Sequence, residues 1–117
     1  MRTCRNQYTL SLFDYPLWWV VCSADYVLYS GNVSYIRTFY PVLKKALDGF
    51  YPAHTNVTTG LVERPQGYGD FAFLPRNGAV TYYNALYSMA LTSAAQLAEC
   101  LGNEEDAERW RHRAAKM

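Results

Sequence analysis

The chain has 117 residues, 50% of them hydrophobic and 18% charged, and eleven Lys+Arg against ten Asp+Glu leave a formal charge of +1. That balance excludes intrinsic disorder and fits one small domain rather than two. Basic residues gather only at Arg109, Arg111, Arg113 and Lys116, too few for an electrostatic nucleic-acid binder. Asp25 interrupts the best apolar run before it reaches the roughly 20 residues of a membrane span, so no membrane partner is expected.

The first helix is predicted from Tyr15-Pro16, because Pro suits a first helical turn. It runs through Leu17, Trp18, Val21, Cys22, Leu28 and Tyr29 to Gly31, a natural left-handed terminus. Asn32 then caps a second helix whose apolar side is Ile36, Phe39, Leu43, Ala46, Leu47 and Phe50. Pro41 lies inside that pattern and is expected to kink or break it. From about residue 51 to 78, Pro52, Gly60, Pro65, Gly67, Gly69, Pro75 and Gly78 mark a long loop. Short extended pieces are possible there, at Leu61-Val62 and Phe71–Leu74. Val80, Tyr83, Tyr87, Ala90, Ala94, Leu97 and Leu101 then step by three, four or seven along a third helix, which Gly102 ends. Asn103, followed by Glu104, Glu105 and Asp106, opens a fourth with Ala107, Trp110 and Ala114 on its apolar stripe.

The four helices repeat one plan, with the Gly-Asn turns 71 positions apart. In each pair the first helix is nearly uncharged and the second carries the charges, so each hairpin has an inner and an outer helix. Two such hairpins have too few partners to bury two inner helices. The fold class expected is therefore all-α: two antiparallel αα-hairpins, at about 15–50 and 79–117, joined by a long loop at about 51–78 and forming part of a larger helical toroid, with a separate hairpin domain that dimerises as the alternative. Trp18, Tyr83, Tyr87 and Leu91 should then leave apolar surface uncovered. The long loop and segment 6–15 both lead into the starts of inner helices, so Asp14, Tyr15, Glu63, Tyr68, Asp70 and Phe71 face one region. Loops on a rigid scaffold are where sites are built. Eleven Tyr, five Phe and three Trp suit aromatic walls for carbohydrate as well as a helical core.

Leu17-Trp18-Trp19-Val20, Asp25-Tyr26 and Tyr29-Ser30-Gly31-Asn32 resemble one hairpin of the six-hairpin glycosidases, in particular the α-L-rhamnosidase family. Tyr40-Pro41-Val42-Leu43 is similar to that family's Tyr-Pro in an outer helix, and Gly69-Asp70-Phe71 to its Gly-Asp-Trp loop motif, with Phe71 in place of Trp. Asn84-Ala85-Leu86-Tyr87 and Leu97–Gly102 resemble the next inner helix and its end. The resemblance spans about Leu12 to Ala115. It implies an (α/α)6 toroid with the active site where inner helices begin, and removal of terminal L-rhamnose from a glycoside by inversion, without metal or cofactor. Inversion uses one carboxylic acid on the leaving oxygen and one carboxylate that activates water. The family's acid and base segments flank the hairpins matched here, so no catalytic residue is assigned and the chain alone is expected to be inactive. Asp70, Phe71, Tyr15 and Trp18 are the substrate-binding candidates that the resemblance implies.

Glu63 beside Arg64 reads as a solvated loop charge. His54, His112, Cys4, Cys22 and Cys100 show no metal-ligand spacing, and Cys22 and Cys100 read as buried thiols. Ser11, Ser30 and Ser34 lack a nucleophile elbow, and Gly67-Tyr68-Gly69 lacks the rest of a phosphate loop. Asn32-Val33-Ser34 and Asn56-Val57-Thr58 match the glycosylation sequon, which fits a secreted parent, although Met1–Arg5 opens no signal peptide and localisation stays open. The alternative function is a non-enzymatic αα-repeat protein-interaction module. Such repeats recur at about 34 residues with short connections, unlike the interval and loop here.

Overall fold

The computed structural model describes residues 15–63 and 81–116. The described residues are helical apart from their turns and one isolated antiparallel bridge, Thr55 to Val62. Helix α1 spans Tyr15–Ser30, and Leu17, Val20, Ala24 and Val27 form its buried stripe. Gly31 ends it at φ 72°, with its N–H on the Val27 carbonyl at 2.8 Å. The Asn32 side chain then accepts from the Tyr35 N–H at 3.3 Å and caps α2, Val33–Lys45.

Pro41 neither breaks nor ends α2. Its ring removes the N–H that would serve the Arg37 carbonyl, but Arg37 and Pro41 are both exposed, so water can serve that carbonyl. The helix instead changes pitch further on. Ala46–Phe50 form a π turn in which the Tyr51 N–H returns to the Ala46 carbonyl, and a single turn, α3 (Tyr51–Ala53), follows without a break. This rod therefore runs three residues into the segment expected as loop. Burial explains the extension: Ile36, Leu43, Leu47 and Tyr51 continue one buried stripe, and the Tyr51 ring tilts against Tyr87 at 5.3 Å. Phe39 and Phe50, expected on that stripe, are instead exposed on its flanks.

Helix α4 spans Thr81–Cys100 and is the spine of the core, with Tyr83, Leu86, Tyr87, Ala90, Leu91, Ala94, Ala95, Leu97 and Ala98 buried. Its alanines present little bulk, which lets neighbouring helices approach closely. At its end Gly102 takes φ 77°, its N–H bonds the Glu99 carbonyl, and the Asn103 N–H bonds the Ala98 carbonyl. That is the paired pattern of a Schellman stop. Asn103 caps α5, Glu104–Ala115, by accepting from the Asp106 N–H at 3.2 Å.

The hairpins pack side by side, like helix on like helix. The Trp18 indole bonds the Tyr82 hydroxyl, so the starting ends of α1 and α4 are neighbours. Tyr40 meets Asp106 while Asp48 meets Arg109 and Arg113, so α2 and α5 also run in the same direction. Tyr83, Tyr87 and Leu91, expected to be uncovered, are buried, because α1, α5 and the α2 rod enclose α4. The uncovered apolar surface belongs mainly to hairpin 1: Trp18, Tyr26, Leu28 and Tyr29 of α1, with Phe39 and Val42 of α2. Cys22 and Cys100 are exposed rather than buried. Cys22 lies on the side of α1 turned away from its buried stripe, and Cys100, the last residue of α4, lies on that helix's exposed face with Met89 and Gln96.

Candidate functional site

Three segments meet where α1 and α4 begin. Tyr15, the first residue of α1, is 62% exposed, and Trp18, one turn on, is 40% exposed. The Trp18 Nε1–H donates to the Tyr82 hydroxyl at 2.8 Å. The Tyr82 ring lies tilted on the buried Tyr83, with centroids 5.4 Å apart. Two of the four site candidates, Tyr15 and Trp18, are thus on the first turn of one inner helix, with aromatic surface open to solvent. Asp70 and Phe71 lie outside the described residues, as do Asp14, Tyr68 and the extended piece at Phe71–Leu74.

The third segment is the described part of the long loop. Asn84, in the first turn of α4, accepts from the Val62 N–H at 2.7 Å and donates to the Val62 carbonyl at 3.0 Å. One side-chain amide therefore treats Val62 as a strand neighbour would, which ties the extended piece at Leu61-Val62 to the start of the inner helix. The loop folds back on itself through the Asn56 N–H to Leu61 and the Glu63 N–H to His54. The Asn56 side-chain oxygen Oδ1 accepts from the Thr58 and Thr59 N–H groups, and its Nδ2 donates to Glu63 Oε2 at 3.1 Å. Glu63 is half-buried and held by that amide, so it is a positioned carboxylate rather than a freely solvated one.

A second polar cluster joins the outer helices. Asp48, on the π turn, accepts from the Trp110 indole at 2.9 Å and pairs with Arg109 at 2.6 Å and Arg113 at 3.4 Å. Asp106, with a side chain only 3% exposed, accepts from Tyr40 at 2.6 Å and Asn103 at 2.8 Å and pairs with Arg109 and Lys44. Burial by itself would raise the Asp106 carboxyl. The Tyr40 hydrogen bond and the Arg109 and Lys44 charges outweigh it and hold the carboxyl below its usual range. Burial first, then the bond to Asp106, pushes the Tyr40 phenol well above its ordinary value. Arg109 bridges the two carboxylates. Asp106 takes partners from both hairpins, Tyr40 and Lys44 from the first and Asn103 and Arg109 from the second, and so fastens them together.

Asp48 and Tyr82 were not singled out by their residue types. The only trace of Asp48 in the sequence is its position seven residues beyond Pro41, at the end of the apolar stripe. Tyr82 is the second residue of α4 and Trp18 the fourth of α1, and only the packing of the two helices brings them together. Among the described residues, no helix is long and apolar enough to cross a membrane, and no group of three His, Cys, Asp or Glu could hold a metal ion.

Residues 10–117 match the family model for the bacterial alpha-L-rhamnosidase six-hairpin glycosidase domain. Comparison with curated proteins and with solved structures gives no match.

Proposed function

Since the chain belongs to the bacterial α-L-rhamnosidase six-hairpin glycosidase domain family, we propose that its two hairpins supply part of an (α/α)6 toroid and of the rim that binds a terminal L-rhamnosyl group. In the complete barrel the glycoside is hydrolysed with inversion, and the acid and base come from other hairpins. The observation that carries this reading is the bond from Trp18 to Tyr82, which sets two inner-helix starts side by side with exposed aromatic faces on the first turn. Sugar rings present C–H faces that suit such aromatic surfaces.

Residues 64–80 run from Glu63, beside the Asn84 clasp, to the start of α4, so both ends of that segment are at the same rim. This connection and the Gly69-Asp70-Phe71 motif support Phe71 as a second stacking face and Asp70 as an acceptor for a sugar hydroxyl. The amino-terminal dipoles of the inner helices favour a carboxylate at that end. The chain alone is expected not to catalyse, because two hairpins do not enclose a sugar. The test has two arms. In the complete enzyme, Asp70→Asn should cost about 1.5–3 kcal/mol in kcat/KM on an aryl α-L-rhamnoside, the scale of a hydrogen bond to a charged group, with little change in Tm. Unchanged kinetics would remove Asp70 from the site, and turnover by the isolated chain would overturn the division of labour.

A further inference from the structure

Trp18 has one hydrogen-bond donor, its indole N–H, and Tyr82 takes it. A ligand at Trp18 therefore meets the ring face and receives no hydrogen bond from it. What Trp18 contributes then depends on the angle at which its plane is held. Two features fix that angle across a separation of 64 residues: the 2.8 Å bond to Tyr82, and the tilt of the Tyr82 ring at 47° on Tyr83, which is buried in the core of α4. Orientation thus passes from the core through Tyr82 to a side chain that keeps 40% of its surface exposed.

We propose that Tyr82 is a positioning residue for sugar binding, acting through Trp18: it holds the indole in its stacking orientation before the ligand arrives. The inference rests on the reading that Trp18 faces the rhamnosyl group. Preordering one side chain is worth about three- to tenfold in affinity, because a free indole must be immobilised on binding. The same bond ties the starts of α1 and α4 to each other, so the stacking face of one hairpin is set by a residue of the next.

The experiment titrates the complete enzyme with methyl α-L-rhamnoside and follows the indole 1H–15N signals, with the Trp18 signal assigned by Trp18→Phe. In the unsubstituted enzyme the Trp18 signal should move with the sugar. If it does not, the reading on which the proposal rests fails, whatever Tyr82 does. Given that response, Tyr82→Phe keeps the ring on Tyr83 and removes the acceptor. It should shift the Trp18 N–H signal, speed its exchange with solvent, and weaken sugar binding about three- to tenfold. A cycle then separates positioning from general damage: in a Trp18→Phe background, Tyr82→Phe should cost nothing further. Unchanged affinity in Tyr82→Phe, or an equal loss in both backgrounds, would overturn the positioning role.

Discussion

Replacing Asp48 by Ala tests what holds the two hairpins together. The carboxylate serves three groups: the indole of the fully buried Trp110, the guanidinium of Arg109 at 2.6 Å, and that of Arg113 at 3.4 Å. Truncation leaves the indole N–H inside the core without an acceptor, at a cost of about 1–3 kcal/mol. The ion pairs are about a third exposed, so screening leaves them roughly 0.2–1 kcal/mol. Alanine returns about 0.5 kcal/mol through its helix propensity. The net expectation is a loss of about 1–3.5 kcal/mol, most of it from the indole. Asp48→Asn keeps an acceptor for Trp110 and removes only the charge, so it should cost about 1 kcal/mol or less. Urea unfolding of the full chain, followed by circular dichroism, compares the two through midpoints at constant slope. Equal losses in Ala and Asn would refute the reasoning, since the charge and not the buried donor would then dominate. A loss in Ala that survives unchanged in a Trp110→Phe background would refute it as well.

The ordinary carboxyl value is about 3.9, and Asp106 lies below its usual range in the fold. Its stabilising contribution is therefore present above about pH 4 and is lost as pH falls through the folded value. Unfolding against pH should show this acid limb, and Asp106→Asn should flatten it. Tyr40 is shifted upward by burial and by Asp106. Its contribution is full below about pH 10 and declines above that, so Tyr40→Phe should flatten an alkaline limb in the same titration. Gly31→Ala meets no atom within 4 Å but keeps φ 72°, and should cost about 1–2 kcal/mol in urea unfolding from backbone conformation alone. The exposed Trp18, Tyr26, Leu28, Tyr29, Phe39 and Val42 should make the native chain bind an apolar dye. Tyr29→Ser with Leu28→Ser should reduce that signal, while Met89→Ser, on the other hairpin, should leave most of it.

The helices and their ends were legible because each boundary has a local chemical cause. Gly31 and Gly102 supply the left-handed backbone, and Asn32 and Asn103 supply the caps. The α4 stripe was legible for a related reason: no charge interrupts it from Val80 to Ala98. Properties set by distant contacts were not. Tyr51 extends the rod past Phe50 because Tyr87 receives it, which no local pattern announces. Pro41 is tolerated because its side of the helix faces water, a fact of orientation rather than propensity. Cys22 looked buried because it lies in a largely apolar helix pattern, yet such a helix has a covered side only where a neighbour exists. Of the candidate site, Tyr15 and Trp18 could be placed from the start of α1, whereas the Trp18–Tyr82 bond needed the register between two hairpins.

Because α1 runs with α4 and the α2 rod with α5, hairpin 2 follows hairpin 1 by a step that carries each helix onto its counterpart. Such a step is heterologous, so the two flanks of the pair are different surfaces. A third hairpin added in the same sense meets the same kind of contact again, and the series closes into a ring only if its rotation divides a full turn. Every inner helix then begins on the same face of the ring. A twofold pairing through either flank about an axis perpendicular to the helices would instead oppose the inner helices and send their starts to opposite faces. The direction of one hydrogen-bonded contact, Trp18 to Tyr82, therefore decides between a single shared mouth and two separated ones.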